Sequence, residues 1–554
     1  MLKFVSKIRN NYKNMKQKRL LLGDEAIALG AINNGIQGVY AYPGTPSTEI
    51  TEFIQMQPVT KERGIHCRWC VNEKTAMEAA LGVSYVGKRA IVCMKHVGLN
   101  VAADPFVNSA ISGCNGGLIV IVADDPSMHS SQDEQDSRFY GKFAFIPVLE
   151  PSSQQEAYDM MEYGFRLSEE RRTPVLMRVT TRMAHSRAVV EVDTEAKPIA
   201  PISYPQEAWG WVLLPANSKR RYPKVIENYN DMQAKSMECP YNIYKDGGDK
   251  SMGIIACGIA YNYLNENIGA DFNHPVLKIS QYPIPVDMIN RMAAECDTIL
   301  VMEEGQPVVE EMVRGILPVN CNIIGRLNGK EPGVGVLPRT GELTPDSVRA
   351  ALGLPAHEEY PASQVTVPRP PALCQGCGHR DVYTALNQTL AEYPDYKVFS
   401  DIGCYTLGAL PPFRAIHSTI DMGASITMAK GAADAGQFPS VAVIGDSTFT
   451  HSGITGLLDA ANANANMVVV ISDNLTTGMT GGQDSAGTTK LEAICQAVGV
   501  APEHIRVVVP LAKNMEEIKA ILKEEIEYKG LSVIIPRREC IQTFKRHAKE
   551  KKNA

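Results

Sequence analysis

Residues 441–484 read VAVIGDSTFTHSGITGLLDAANANANMVVVISDNLTTGMTGGQD. The apolar runs Val441–Ile444 and Met467–Ser472 have the length and β-branched character of buried parallel strands. Gly453–Ala465 between them reads as a helix, which makes the unit βαβ. Asp446 follows the first run after Gly445, and Asn474 follows the second after Asp473. Both polar side chains are thereby expected at the carboxyl edge of one sheet, where open α/β sheets bind ligands. A carboxylate and an amide oxygen together suit a hard cation such as Mg²⁺, which keeps phosphate oxygens in its shell. The run Gly478-Met479-Thr480-Gly481-Gly482 lets backbone N–H groups come close to such a phosphate. Without a ligand, the same residues make an ordinary turn-rich βαβ unit.

Working outward, Pro361, Pro368, Pro370 and Pro371 stiffen residues 356–371, which read as a linker. Cys374 and Cys377 form a Cys-x-x-Cys pair just after it, Cys404 lies in Asp-Ile-Gly-Cys-Tyr, and Cys540 follows the strand pattern Ser532–Ile535. Four thiolates suit a [4Fe–4S] cluster or a zinc ion, and spacing does not separate the two. A thioredoxin-like pair would need neither Cys404 nor Cys540. Cys67 and Cys70 are a further close pair for which the sequence offers no partner pair.

Toward the amino end, residues 20–190 alternate helix and strand patterns. Asp24–Asn34 has helical spacing ended by Gly35 and Gly38, and Val39–Tyr42 is a strand. It runs into Pro43-Gly44-Thr45-Pro46-Ser47, where Ser47 or Thr48 is placed to cap the next helix and Thr45 is presented at a strand end. Glu73 opens the helical run Lys74–Val86, where the helix dipole favours its charge. Ala90–Met94 and Val120–Ala123 are strands leading into Lys95-His96-Val97-Gly98-Leu99-Asn100 and into Asp124-Asp125. Residues 190–250, rich in Pro, Tyr and Lys, read as an irregular connection. Residues 251–355 form a further α/β unit with strands Met252–Cys257 and Thr298–Met302, and Glu303-Glu304 reads as a solvated acidic loop. Residues 1–19 carry seven Lys or Arg and no acid, and read as a basic extension.

With 554 residues, the chain has room for three or four domains. A hydrophobic content of 44% and a charged content of 21% are those of a globular protein. The net charge of −6 argues against a nucleic-acid partner. No apolar run approaches the ~18 residues of a membrane helix. Thirteen cysteines without a secretory signal fit free or metal-bound thiols in a reducing cytoplasm.

Gly445-Asp446-Ser447, Asp473-Asn474 and the Thr-Gly-Met-Thr-Gly-Gly-Gln run together resemble the thiamine diphosphate motif of the 2-oxoacid:ferredoxin oxidoreductases. The form GDSTFTHSGITGL is most similar to the alpha subunits of the indolepyruvate type. The resemblance covers nearly the whole chain. It implies a multidomain α/β fold with doubly wound parallel sheets: a pyrimidine-binding (PYR-type) domain over 20–190, a connection over 191–250, a transketolase C-terminal-like domain over 251–355, and a diphosphate-binding (PP-type) domain over 372–554. By the same resemblance Asp446, Asn474 and the backbone carbonyl of Thr476 bind Mg²⁺, and Gly445, Ser447, Gly478, Met479 and Thr480 border the diphosphate. Thr45 lies beside the thiazolium, Glu73 contacts N1′ of the aminopyrimidine, and His451 faces the diphosphate or an intermediate, or is a plain helix-start residue. Cys374, Cys377, Cys404 and Cys540 hold a [4Fe–4S] cluster, with Gln375 in place of the family's usual Pro.

The implied activity is oxidative decarboxylation of aryl 2-oxoacids to the aryl-acetyl-CoA and CO₂, with coenzyme A as cosubstrate and ferredoxin as acceptor. A smaller beta subunit is implied as partner, in a dimer of alpha–beta pairs. The alternatives are a non-oxidative thiamine diphosphate decarboxylase or synthase, a related oxidoreductase of other specificity, and a non-catalytic binding protein. Two departures stand out. Where pyruvate-specific relatives are expected to place an arginine for the substrate carboxylate, this chain has Asp124-Asp125, leaving Lys95, His96 or Asn100 as anchors. No cysteine follows Cys540, so electrons would exit directly from one cluster or through another subunit.

Overall fold

The structure, a computed structural model, describes residues 16–204, 211–316, 321–327, 336–358, 361, 363–367 and 371–553. The chain divides into two compact units, Met1–Tyr360 and Pro361–Ala554.

The first unit is built on a seven-stranded sheet in the order Gln281–Tyr282, Val148–Leu149, Val175–Thr180, Leu118–Asp124, Arg89–Lys95, Ile36–Ala41, His66–Trp69. All neighbours are parallel except the first pair. Side chains alternate between the two sides. Ile91 and Cys93 join one apolar cluster, while Ala90, Val92 and Met94 join another. Helices cover both faces, so the strands are apolar throughout rather than alternating. Residues of the carboxyl half of this unit form a five-stranded sheet: Asn322–Ile324, Thr298–Met302, Met252–Cys257, Val276–Ile279 and the antiparallel edge Ile243–Lys245.

The second unit has a six-stranded, wholly parallel sheet in the order Ser418–Thr419, Lys397–Ser400, Ser440–Gly445, Met467–Ser472, Leu531–Pro536, Ile505–Val508. Val441 and Val443 enter one core and Ala442 and Ile444 the other, so this sheet too is sandwiched.

Several expectations need correcting. Residues 190–250 are not irregular throughout: Pro215–Ala234 is a 20-residue helix. Pro215 supplies the preset φ of a first helical position. The helix has no broad apolar stripe, only Asn217 and Met232 being fully buried. Polar tethers hold it instead: Arg221 donates to the carbonyls of Ile111 and Ser112 at 2.6 and 2.8 Å, and Asp231 pairs with Arg171. Lys16–Leu22 is a strand antiparallel to Arg187–Asp193, so residues 16–19 belong to the fold; the rest of the basic extension, 1–15, lies outside the described residues. Gly38 does not end a helix but sits within Ile36–Ala41.

Glu303 and Glu304 are not solvated: each is 1% exposed. Glu303 accepts from Arg138 at 2.8 Å and from the backbone N–H groups of Val309 and Glu310 at 2.9 Å each, so it caps the helix Val308–Ile316. A carboxylate at a helix amino end meets unpaired N–H groups and a favourable dipole.

Candidate active site

In the second unit the helix after Ser440–Gly445 begins at Asp446, earlier than the spacing suggested, and passes through a wide π-type turn, Phe449–Gly453, before Ile454–Asn462. His451 therefore lies inside that turn, buried, with Nδ1 2.6 Å from the Ser452 hydroxyl. Such turns recur at functional sites. Gly445 pairs with Ser472 across the sheet, so Asp446 and Asp473-Asn474 leave adjacent strand ends.

The two aspartates differ. Asp473 receives Arg537 Nε at 2.6 Å, and Arg537 also donates to Glu492 at 2.8 and 2.7 Å. Asp446 is buried, and its Oδ2 has no hydrogen-bond partner among the described residues. Burial pushes its carboxyl up to about 7; the Ser485 hydroxyl opposes the shift and the Asp473 charge adds to it. An orphaned oxygen on a buried carboxyl is what a cation-binding residue presents when described without its cation.

Asn474 Oδ1 accepts from the Thr476 backbone N–H at 3.1 Å. Thr476–Thr477 then pairs antiparallel with Gln483–Asp484, so Gly478–Gly482 forms the tip of a small ribbon. The Thr480 hydroxyl donates to Gln483 Oε1 at 2.6 Å, and the Ser447 and Thr477 hydroxyls lie 2.9 Å apart. Gly481 and Gly482 adopt φ of +126° and +88°, and Leu475, at φ +62°, holds a left-handed conformation that costs a branched residue about 1 kcal/mol or more. Met479 is exposed at the tip.

The four singled-out cysteines of this unit come to one place. Cys377 immediately precedes the helix Gly378–Leu390, and its N–H donates to the Cys374 carbonyl at 3.1 Å. Cys404 opens the turn Cys404–Ala409, and the Cys540 N–H donates to the Asn474 carbonyl at 3.0 Å. All four line one cavity with His379, Asn474 and Gly478. A Cβ on Gly478 would stand 3.4 Å from Cys404 Sγ and 3.9 Å from Cys540 Sγ, so the glycine leaves room at the sulfurs. Burial, and then the neighbouring Cys377, Cys540, Cys374 and Asp446, push the Cys404 thiol up to about 12. Among the described residues, no three of these sulfurs gather within 4.8 Å of one another.

In the first unit, Glu73 is the first residue of Glu73–Tyr85, after the cap Asn72, whose Oδ1 accepts from the Thr75 N–H at 2.9 Å. Glu73 is 6% exposed. Gly98, in His96–Val101, lies so close that a Cβ there would meet Glu73 Oε1 at 2.6 Å. Thr45 is half-buried in its loop. Ser47 does not cap the next helix with its hydroxyl; it donates to the Gly44 carbonyl at 2.8 Å, while Thr48 Oγ1 accepts from the Gly44 N–H at 3.0 Å. The Ser130 hydroxyl reaches the Thr45 carbonyl at 3.4 Å.

The anchor candidates separate by their partners. Lys95 is spent on the Ser130 carbonyl at 2.7 Å, and burial brings its ammonium down to about 8 against the pull of Asp125 and Asp133. Asn100 is exposed and accepts from the Tyr140 hydroxyl at 2.5 Å. His96 is 1% exposed, and neither ring nitrogen has a hydrogen-bond partner among the described residues; Asp133 Oδ1 lies 3.5 Å from its Nε2. Asp124 is tied to the fully buried Arg178 at 2.6 Å, and Asp125 to Ser130, Ser131 and Thr181. Cys67 and Cys70 acquire no further metal ligand among the described residues.

Sequence reasoning missed His379, whose only signal was its place right after Cys-x-x-Cys-Gly. It is buried, and burial alone brings its imidazole down to about 4, so it is neutral, 3.5 Å from Asn474 Nδ2. Arg537, which separates the roles of Asp473 and Asp446, gave no signal at all.

A parallel sheet of the second unit with a cation-ready Asp446 beside a glycine ribbon defines a thiamine diphosphate-binding α/β protein. Residues 401–535 match the family "Thiamine pyrophosphate enzyme, C-terminal TPP binding domain", and residues 29–219 match "Pyruvate flavodoxin/ferredoxin oxidoreductase, thiamine diP-bdg". Over 95% of its length the chain is 38% identical to the indolepyruvate oxidoreductase subunit IorA of Archaeoglobus fulgidus and 39% identical to that of Pyrococcus horikoshii, covering 86% of each. A solved 2-oxoglutarate:ferredoxin oxidoreductase from Magnetococcus marinus aligns with 61% of this chain and 65% of its own at 17% identity and a TM-score of 0.49. The chain belongs to the indolepyruvate oxidoreductase subunit IorA family, thiamine diphosphate-dependent enzymes of the 2-oxoacid:ferredoxin oxidoreductase class. Among the described residues no helix is long and apolar enough to cross a membrane.

Proposed function

We propose that this chain is the thiamine-binding subunit of an enzyme that oxidatively decarboxylates aryl 2-oxoacids such as indolepyruvate. The products are the aryl-acetyl-CoA and CO₂, and the electrons go to ferredoxin. The observation that carries the reading is the cavity shared by four cysteines and Asn474, the residue that also begins the glycine ribbon. Thiamine diphosphate, when bound, supplies a nucleophilic carbon and an electron sink, and a [4Fe–4S] cluster supplies one-electron transfer.

The chain's own residues fit those groups. Asp446, Asn474 and the Thr476 carbonyl would hold Mg²⁺. Gly445, Ser447, Gly478, Met479 and Thr480 would border the diphosphate, and the buried His451 would face it. Glu73 would hold a proton at N1′ of the aminopyrimidine, with Thr45 near the thiazolium. Cys374, Cys377, Cys404 and Cys540 would ligate the cluster, with neutral His379 in its wall. His96 is the favoured anchor for the substrate carboxylate, because Lys95 and Asn100 already have partners. In domain terms, 20–190 is the pyrimidine-binding part, 251–355 the transketolase C-terminal-like part and 372–554 the diphosphate-binding part. A smaller beta subunit completes the assembly, as a dimer of pairs, in the cytoplasm.

Anaerobic purification with the partner subunit tests this. A brown protein absorbing near ~400 nm, bleached by indolepyruvate plus coenzyme A, supports it. Cys404→Ser should remove most of that absorbance and dye reduction while thiamine diphosphate still binds. A colourless protein that releases CO₂ is instead a non-oxidative decarboxylase.

A further inference from the structure

Away from these residues, the first unit gathers one more set of ligand-type side chains. Asp24 lies in the first turn of the helix Gly23–Asn33, Glu49 in the first turn of Thr48–Met56, and His185 ends Thr181–His185. Close packing brings them together: a Cβ on Gly23 would stand 2.0 Å from the Met183 carbonyl oxygen, so only glycine lets those two helices meet. One oxygen from each carboxylate and one imidazole nitrogen lie within 4.8 Å of one another.

The decisive feature is Asp24. It is fully buried, and neither carboxylate oxygen has a hydrogen-bond partner among the described residues. Glu49 Oε2 is likewise buried and unpartnered, while Glu49 Oε1 lies 3.5 Å from His185 Nε2. Leaving one buried charged oxygen unsatisfied costs several kcal/mol, and here atoms of two carboxylates and one imidazole lie within 4.8 Å of one another. Burial, with the charges of Glu49 and Glu25, holds the Asp24 carboxyl well above its usual range, whereas His185 holds that of Glu49 below it. A bound cation resolves all three deficits together.

We propose that Asp24, Glu49 and His185 form a binding site for a divalent first-row cation, separate from any thiamine or cluster ligand. Two carboxylate oxygens and one imidazole are the donor set of Mn²⁺, Fe²⁺ or Zn²⁺, with the remaining positions open to water. His185, whose side chain is 34% exposed, gives the ion a path from solvent. The site has a structural consequence. Glu49 sits two residues past Ser47, so the cation ties the loop carrying Thr45 to two other helices. This inference stands on Asp24 and its neighbours and does not depend on the proposed reaction.

The test is Mn²⁺ titration of the metal-stripped full-length chain, followed by the electron paramagnetic resonance of free Mn²⁺. Mn²⁺ is the probe because it prefers oxygen and imidazole and leaves thiolates to softer ions. Thiamine diphosphate is omitted, and any Mn²⁺ at Asp446 is common to all variants. Wild type should bind one equivalent more than Asp24→Asn and than His185→Gln, or bind it at least about 100-fold more tightly, since even outer-shell changes cost 10–100-fold. The wild-type thermal midpoint should rise with Mn²⁺ and those of the variants should not. Should Asp24→Asn fail to fold, His185→Gln carries the comparison alone, because its side chain is part-exposed. Equal Mn²⁺ stoichiometry and equal midpoints in wild type and a folded variant overturn the site and leave a proton shared between Asp24 and Glu49.

Discussion

Gly98→Ala should disable the enzyme while leaving it folded. The added Cβ would stand 2.6 Å from Glu73 Oε1, 2.7 Å from its Cγ and 2.8 Å from its Cδ. To reach an ordinary contact of 3.4 Å, the carboxylate must retreat by 3.4 − 2.6 = 0.8 Å. The three nearest atoms all belong to one side chain, which can swing. Alanine gains about 0.5–1 kcal/mol over glycine in a helix, against an overpacking cost of about 1–3 kcal/mol. The net cost is therefore about 0–2.5 kcal/mol, which lowers the melting point but leaves the chain folded.

Catalysis is less forgiving. A displacement of about 1 Å at a positioned group costs on the order of 10²-fold in rate, equal to about 2.7 kcal/mol of barrier. The assay is indolepyruvate- and coenzyme A-dependent reduction of a viologen dye by the anaerobic holoenzyme, with the melting curve measured alongside. The expected result is kcat lowered about 100-fold, KM little changed, and thiamine diphosphate still bound. Wild-type kcat in Gly98→Ala would refute the assignment of Glu73 to the aminopyrimidine.

Two further outcomes follow from single side chains. Glu73→Gln keeps the shape but not the carboxylate; it should fold and bind thiamine diphosphate yet lose about 10²–10⁴-fold in turnover, the range for a positioned acid–base group, and normal turnover there would contradict the role. Glu304 is fully buried, its Oε2 has no partner among the described residues, and burial raises its carboxyl to about 7. Since the folded value lies above the unfolded one, its stabilising effect is complete below about pH 4.5 and is lost as pH rises through about 7. Glu304→Gln should therefore change the thermal midpoint little at pH 5 and raise it at pH 8, by up to about 3 kcal/mol of stability; an equal loss at both values would show that Glu304 is charged and paired.

What could be read from the sequence follows from what holds each element. Met252–Cys257, Thr298–Met302 and Met467–Ser472 match their expected bounds residue for residue. Each is a buried strand whose apolar run is itself the stabilising interaction. Pro215–Ala234 escaped because polar contacts from Arg221 and Asp231, not an apolar stripe, fix it. Glu303 escaped because its three partners lie in Arg138 and in backbone N–H groups, which no local pattern reveals. The acidic cluster with His185 was invisible for the same reason: His185 lies more than 100 residues along the chain from Asp24 and Glu49.

Asn474 shows why motif reading did better in the second unit. Its side chain accepts the Thr476 N–H that starts the glycine ribbon, its carbonyl holds the N–H of Cys540, and it lines the cysteine cavity. One short turn thus serves both the sheet edge that carries the buried Asp446 and the wall that the four cysteines line. A turn with three simultaneous obligations tolerates few residue types, so its sequence carries a dense signal. Glu73 opens a helix beside Gly98, and without the resemblance it could not be told from an ordinary first-turn glutamate. The information a site leaves in a sequence scales with the number of contacts each residue must satisfy, and the role of the proposed catalytic carboxylate is the part that the Gly98→Ala experiment has to decide.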